Sequence, residues 1–147
     1  MNNLFAWPIR IYYEDTDMSG VVYHARYLHF FERARTEWLR TIGISQEKMR
    51  VEDGLAFTLS HMDVSYRVAA RLDDDLVVAT KIAKISRAVF IFEQALYYRK
   101  DTEAANGMIP KPDVKPLATA LVRCGCVSME TWKPQALPPL LRQAAAS

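Results

Sequence analysis

One stretch of this chain decides most of what it can fold into. From about Val22 the residues Tyr27, Phe31, Ala34, Trp38 and Ile42 recur at four-three-four-four spacing, with Leu28, Phe30, Arg35 and Leu39 flanking them. That is the period of an α-helix with a wide apolar surface, and Gly43 is a good stop for it. A helix apolar on so many sides must be wrapped by something large, and a curved sheet is the economical way to do it.

The remainder of the chain reads as that sheet. Ile9, Ile11 and Tyr13 alternate with Arg10, Tyr12 and Glu14, which predicts a strand before the helix. Phe57 and Leu59 alternate in one phase, and Met62, Val64, Tyr66 and Val68 in the other. The slip near Ser60-His61 predicts a bulge within one long strand. Arg71 to Asp75 reads as a polar turn. Leu76 to Ile85 and Val89 to Tyr98 read as strands joined at Ser86-Arg87, and Leu117 to Val127 as the last strand. The order β-α-β-β-β-β is that of an α+β domain with the helix on one sheet face. The polar segment 99–116, with Asn106-Gly107, Pro110, Pro112 and Pro116, reads as an irregular loop. The tail, about 131–147, carries a short helix begun at Pro139.

With 147 residues the whole chain reads as a single domain with one core. The 19 basic and 17 acidic residues leave a net charge of +2, too balanced for nucleic-acid binding. No apolar run has the length of a bilayer span, so no membrane insertion is expected. The strand pattern starts by Ile9, which leaves no room for a cleavable leader and points to a cytoplasmic protein. Cys124 and Cys126 point to one strand face and are poorly placed to bridge each other. They read as small core residues, and no metal site is expected.

The chemistry-bearing residues cluster between the first strand and the helix. Asp17 lies in a turn, and His24 lies seven positions on, near the helix start. A helix start presents unpaired N–H groups and the positive end of a dipole. A carboxylate facing such donors is suited to attack on an activated carbonyl. Asp17 is also the kind of residue that merely caps a turn, and spacing does not separate the two roles. Asp15 reads as the structural carboxylate, bonded to backbone N–H groups. Tyr13, four positions before Asp17, could bring its hydroxyl to the same site. Glu32 and Arg35, and Arg33 and Glu37, have pair-forming helical spacings. The sequence contains no Gly-x-Ser-x-Gly elbow and no glycine-rich phosphate loop.

The blocks Asp15-Thr16-Asp17, Gly20-Val21-Val22-Tyr23-His24, Tyr27 and Phe31-Glu32-Arg33-Ala34-Arg35-Thr36-Glu37 resemble the hotdog-fold thioesterases. Within them the chain looks like the YbgC-type acyl-CoA thioesterases, relatives of 4-hydroxybenzoyl-CoA thioesterase, from about Leu4 to Pro138. The resemblance implies a hotdog fold, a five-stranded antiparallel sheet wrapped around one long central helix. It implies edge-to-edge homodimers, often paired into a homotetramer, with active sites at the dimer interface. It implies hydrolysis of an acyl-CoA to a carboxylic acid and CoA, with no cofactor beyond the coenzyme A of the substrate.

In that reading Asp17 is base or nucleophile. His24 contributes its ring or its backbone N–H, and Gly20, Val21, Val22 and Tyr23 line the substrate. Lys84, Ser86 and Arg87 are candidates for the CoA phosphates, and Glu32 and Glu37 are fallback carboxylates. Some YbgC-like proteins occur beside the Tol-Pal envelope system, which makes a functional link to it an expectation. A carrier-protein thioesterase and a non-catalytic acyl-CoA-binding scaffold or sensor are the rival readings. The 99–116 connection looks longer than usual for the family, which bears on substrate preference.

Overall fold

In the computed structural model, which describes residues 4–146, the chain runs β1 (Phe5–Arg10), α1 (Arg26–Thr41), α2 (Gln46–Asp53), β2 (Leu55–Tyr66), β3 (Asp75–Ile85), β4 (Val89–Tyr98), β5 (Thr102–Glu103), β6 (Ile109–Pro110), β7 (Ala118–Ser128) and α3 (Pro139–Ala146). Five strands form one antiparallel sheet in the order β1-β3-β4-β7-β2. β1 and β2 are therefore its two edges. β5 and β6 form a separate two-residue hairpin within the 99–116 loop, so that segment is not wholly irregular. No described helix is long and apolar enough to cross a membrane.

The sheet buries α1. Tyr27, Phe30, Phe31, Ala34, Arg35, Trp38 and Leu39 are its buried residues. They face the inward residues Phe90, Phe92, Gln94 and Leu96 of β4 and Ala118, Ala120, Val122, Cys124 and Cys126 of β7. Trp38 meets Phe92 edge-on at 5.4 Å, and Phe90 bridges Phe92 and Phe57 of β2. The two cysteines are buried and unbridged. Register slips between Leu59 and His61, where the sequence pattern changes phase, and again between Ile82 and Lys84. Such bulges bend a strand, which lets the sheet curl around a helix.

The structure corrects four readings. The first strand ends at Arg10; the chain then turns, and Tyr13–Asp15 form a single 3-10 turn. Ile11 is fully buried, but its N–H donates to the Asp74 carbonyl and not to a further strand. The long helix starts at Arg26, not Val22, because Val21 and Val22 are engaged in bridges to Arg71 and Thr16. α2 was not anticipated. Only Met49 of its eight residues is buried, although Ser45 caps its start and Gly54 (φ +64°) ends it. Finally, Arg35 pairs with Gln94 and not with Glu32, and Glu37 pairs with Arg40 and not with Arg33.

Candidate active site

The segment between β1 and α1 is stapled from below by Asp15, only 4% exposed. One carboxylate oxygen accepts the Tyr12 N–H at 2.9 Å, and the other accepts Arg26 Nε at 3.0 Å. The Asp15 carbonyl accepts the Tyr23 N–H. A buried carboxylate is tolerable only when its acceptors are filled, and these bonds fill them from both ends of the loop. Asp15 thus has a structural role, with one backbone N–H and the Arg26 side chain as partners where backbone N–H groups alone were expected.

Above that staple, residues 16–22 fold back as a tight hairpin. Thr16 bridges Val22, the Asp17 N–H donates to the Val21 carbonyl at 3.0 Å, and the Gly20 N–H donates to the Asp17 carbonyl at 3.1 Å. Gly20 has φ +83°, a left-handed conformation that costs glycine little. The Val22 N–H donates to the Ala70 carbonyl at 2.8 Å, which ties the hairpin to the segment after β2.

Asp17 stands exposed at the first position of this turn. Its Oδ1 accepts the Ser19 N–H at 2.8 Å and the Ser19 hydroxyl as well. Its Oδ2 has no hydrogen-bond partner among the described residues. One oxygen therefore fixes the carboxylate while the other faces outward. The Ser19 hydroxyl, then the Ser19 N–H, hold the Asp17 carboxyl below its ordinary value of 3.8; slight desolvation opposes them and nearby His24 assists. The group is ionised throughout the neutral range. Ser19→Ala is expected to move the acidic limb of the kcat/KM profile upward in pH, because it removes the largest stabiliser of the ionised form. An unmoved limb would detach that limb from Asp17.

His24 lies two residues before α1, exposed, its ring packed on Tyr23 with centroids 4.5 Å apart. The N–H groups of His24 and Ala25 donate to no acceptor among the described residues. They are the orphan donors every helix start carries. The Tyr66 hydroxyl donates to the His24 carbonyl at 2.9 Å and so holds the peptide plane that carries the Ala25 N–H. A cavity of about 220 Å³ opens here, lined by Val22, His24, Tyr27 and Tyr66 among others. Tyr66 was not singled out by the sequence; its place in a strand pattern gave no sign that its hydroxyl reaches the helix start.

The other candidates separate. Asp17, Gly20, Val21, Val22, Tyr23 and His24 are together in one loop. Tyr13 is 82% exposed and its hydroxyl has no partner among the described residues. Lys84, Ser86 and Arg87 lie at the far end of β3, whereas the Asp17 loop adjoins the end where Arg10 pairs with Asp75. An 11-residue strand separates the two ends, roughly 30 Å at ~3.3 Å per residue. Within one chain, then, the basic turn does not reach Asp17. Its expected backbone donor at Ser86 is also taken, by the Val89 carbonyl at 2.8 Å. No described group of histidine, cysteine, aspartate and glutamate residues is arranged to hold a metal ion.

Residues 12–145 match the model of the thioesterase-like superfamily. The chain is 43% identical over 144 residues to the acyl-CoA thioesterase YbgC of Haemophilus influenzae, covering 98% of this chain and 96% of that relative. It is 41% identical over 135 residues to an Escherichia coli acyl-CoA thioester hydrolase YbgC, covering 92% and 90%. Among solved structures, a probable thioesterase from Bartonella henselae superposes with a TM-score of 0.78 at 34% identity, covering 92% of this chain and all of that one.

Proposed function

The chain belongs to the thioesterase-like superfamily, and we propose that it is an acyl-CoA thioesterase whose Asp17 carboxylate is the base or nucleophile. The observation that carries the chemistry is a juxtaposition. One short loop holds an ionised carboxylate with a free oxygen, and a helix start with free N–H donors follows it.

A thioester carbonyl is electrophilic and a thiolate leaves readily, so no strong general acid is needed. Asp17 Oδ2 either attacks the carbonyl carbon, forming a mixed anhydride that water then opens, or takes a proton from water as the water attacks. In both cases negative charge develops on the carbonyl oxygen. The His24 and Ala25 N–H groups, at the positive end of α1, are the donors available to receive it. The products are a carboxylic acid and CoA, and coenzyme A enters as part of the substrate.

The site is completed by a second copy. β2 is a 12-residue edge strand, exposed or half-buried along its length. Unpaired edges of that length seldom stay bare. Two copies joined antiparallel along β2 form one ten-stranded sheet. The pairing reverses the second sheet end to end, so its 84–87 turn falls at the end where the first copy holds Asp17. Exposed Lys84 and Arg87 carry no ion pair among the described residues and are then available to the CoA phosphates. The outward sheet face, where Leu121 is exposed above a groove of about 500 Å³, suits pairing of dimers into a homotetramer. A cytoplasmic location fits the two free thiols, and the Tol-Pal link rests on the family resemblance.

The test is thiol release from a panel of acyl-CoAs, short to long and aromatic. Turnover supports the reading; no turnover on any member would shift it to a carrier-protein substrate or a binding role. Tyr66→Phe is a finer probe. Without its hydroxyl the His24–Ala25 peptide plane loses its anchor, and kcat is expected to fall about tenfold with KM little changed. An equal change in both parameters would make Tyr66 a packing residue only.

A further inference from the structure

A second cavity, about 420 Å³, lies between α1 and the β2 edge; aromatic side chains (Phe57, Phe90, Phe92) share its lining with polar ones, Arg35, Glu32 and Thr58 among them. It sits at the opposite end of β2 from Tyr66 and His24. Antiparallel pairing of two β2 edges therefore sets the cavity of one copy beside the Asp17 loop of the other. The cavity is where an acyl group attached at that loop would go.

Arg35 is the buried cation of this cavity. It is 9% exposed and lies on the inward face of α1. Its Nη1 donates to Gln94 Oε1 at 3.1 Å. Gln94 is itself committed, donating from Nε2 to the Phe31 carbonyl and to Thr80 Oγ1, each at 2.9 Å. Arg35 forms no ion pair among the described residues, although Glu32 stands one helical turn away at the same cavity. Its Nε and Nη2 have no acceptor among the described residues, yet among those residues no fully enclosed side-chain donor is left without one. Those two groups therefore open into the cavity. Burial works against the charge of this guanidinium, with Cys124 and Glu32 in partial compensation. Buried cations are ordinarily paired. This one has a single neutral hydrogen-bond partner among the described residues, and its spare donors open into a cavity of mixed aromatic and polar lining.

Taking the acyl-CoA thioesterase reading as given, we propose that Arg35 is a specificity-determining residue that selects acyl groups whose far end carries an oxygen acceptor, a carboxylate or a hydroxyl. A wholly aliphatic chain seated there would displace water from the guanidinium and offer it no acceptor, whereas a terminal oxygen takes the place of that water. The fork of donors favours a carboxylate geometrically, and Glu32 at the same cavity tempers that preference toward neutral acceptors.

The test compares three CoA thioesters at each of two chain lengths: butanoyl, 4-hydroxybutanoyl and succinyl, then hexanoyl, 6-hydroxyhexanoyl and adipoyl. The wild type is expected to favour at least one oxygenated member of a set over its alkyl counterpart by about tenfold or more in kcat/KM. Which one it favours separates carboxylate from hydroxyl. Arg35→Met should collapse or invert the ratio, and Arg35→Lys should restore part of it. A wild type that prefers the alkyl thioesters at both lengths overturns the proposal. So does a ratio unchanged in Arg35→Met, which is what a purely structural arginine would give. Binding of the matching non-hydrolysable thioether analogues, by calorimetry, reads the same preference without turnover. A dead enzyme that still discriminates through Arg35 would sink the hydrolase reading and leave this one standing. If Arg35→Met does not fold, the wild-type order and Arg35→Lys decide.

Discussion

Asp17→Asn is expected to lower kcat on acyl-CoA by about a thousandfold or more, with KM changed only a few-fold. The substitution is informative because of what it leaves alone. An asparagine Oδ1 still accepts from Ser19, so the 16–22 hairpin keeps its shape. What goes is the negative charge and nucleophilicity of the outward oxygen, which the transition state uses and the bound substrate does not. The pH profile of the wild type checks the same assignment from another side. The carboxyl is held below 3.8 in the folded protein, so its ionised, active form persists as pH falls through the ordinary carboxylate range. It is lost only as pH drops through the lowered value. Activity in Asp17→Asn near the wild-type level would move the chemistry to Glu32, Glu37 or His24.

Phe31→Ala is expected to cost about 3–5 kcal/mol of stability, the usual range for emptying a buried aromatic position. Phe31 has no exposed surface and sits in the first half of α1. Its carbonyl accepts the Gln94 side chain, so the helix is anchored to β4 where the ring packs. For a chain of this size the loss corresponds to a fall in Tm of roughly 6–20 °C. Leu28→Ala is the control. Leu28 is on the same helix but 40% exposed, and its loss is expected to be within about 1 kcal/mol. Thermal melts at one fixed protein concentration, since subunit pairing makes Tm concentration-dependent, separate the two. Equal shifts in both variants would mean that the sheet does not close on α1 as described.

The elements that were legible in advance are those whose periodicity is long and unbroken. The buried face of α1, the bulge in β2, and the strands β3, β4 and β7 all follow from side-chain spacing, because a backbone of fixed pitch repeats its exposed face at a fixed interval; the start of α3 follows instead from the place of Pro139. The misreadings fall where that rule gives no discrimination. Val21 and Val22 fit a helical stripe, but their backbones are used by Thr16, Ala70 and Arg71. Tyr13 continues the alternation of β1 by coincidence after the chain has turned. α2 is too short, with too little apolar surface, for any pattern to rise above its surroundings.

The candidate site divides the same way. The sequence by itself determined which residues share the loop between β1 and α1, since neighbours in the chain stay neighbours in space, and the turn at Asp17–Gly20 follows from the residues there, although the start of the helix after it does not. It also carried the blocks by which the family resemblance was recognised. Only the tertiary structure decided that Ser19 holds one oxygen of Asp17 and leaves the other free, and that Tyr66 steadies the peptide at His24 from a strand 42 positions away. It alone placed the Lys84–Arg87 turn at the opposite end of the sheet and turned Arg35 inward onto Gln94. The reason is physical. Spacing along a chain sets which side chains share a face, but pairing register and the closure of a sheet over a helix set which distant faces meet, and neither is a property of any single segment.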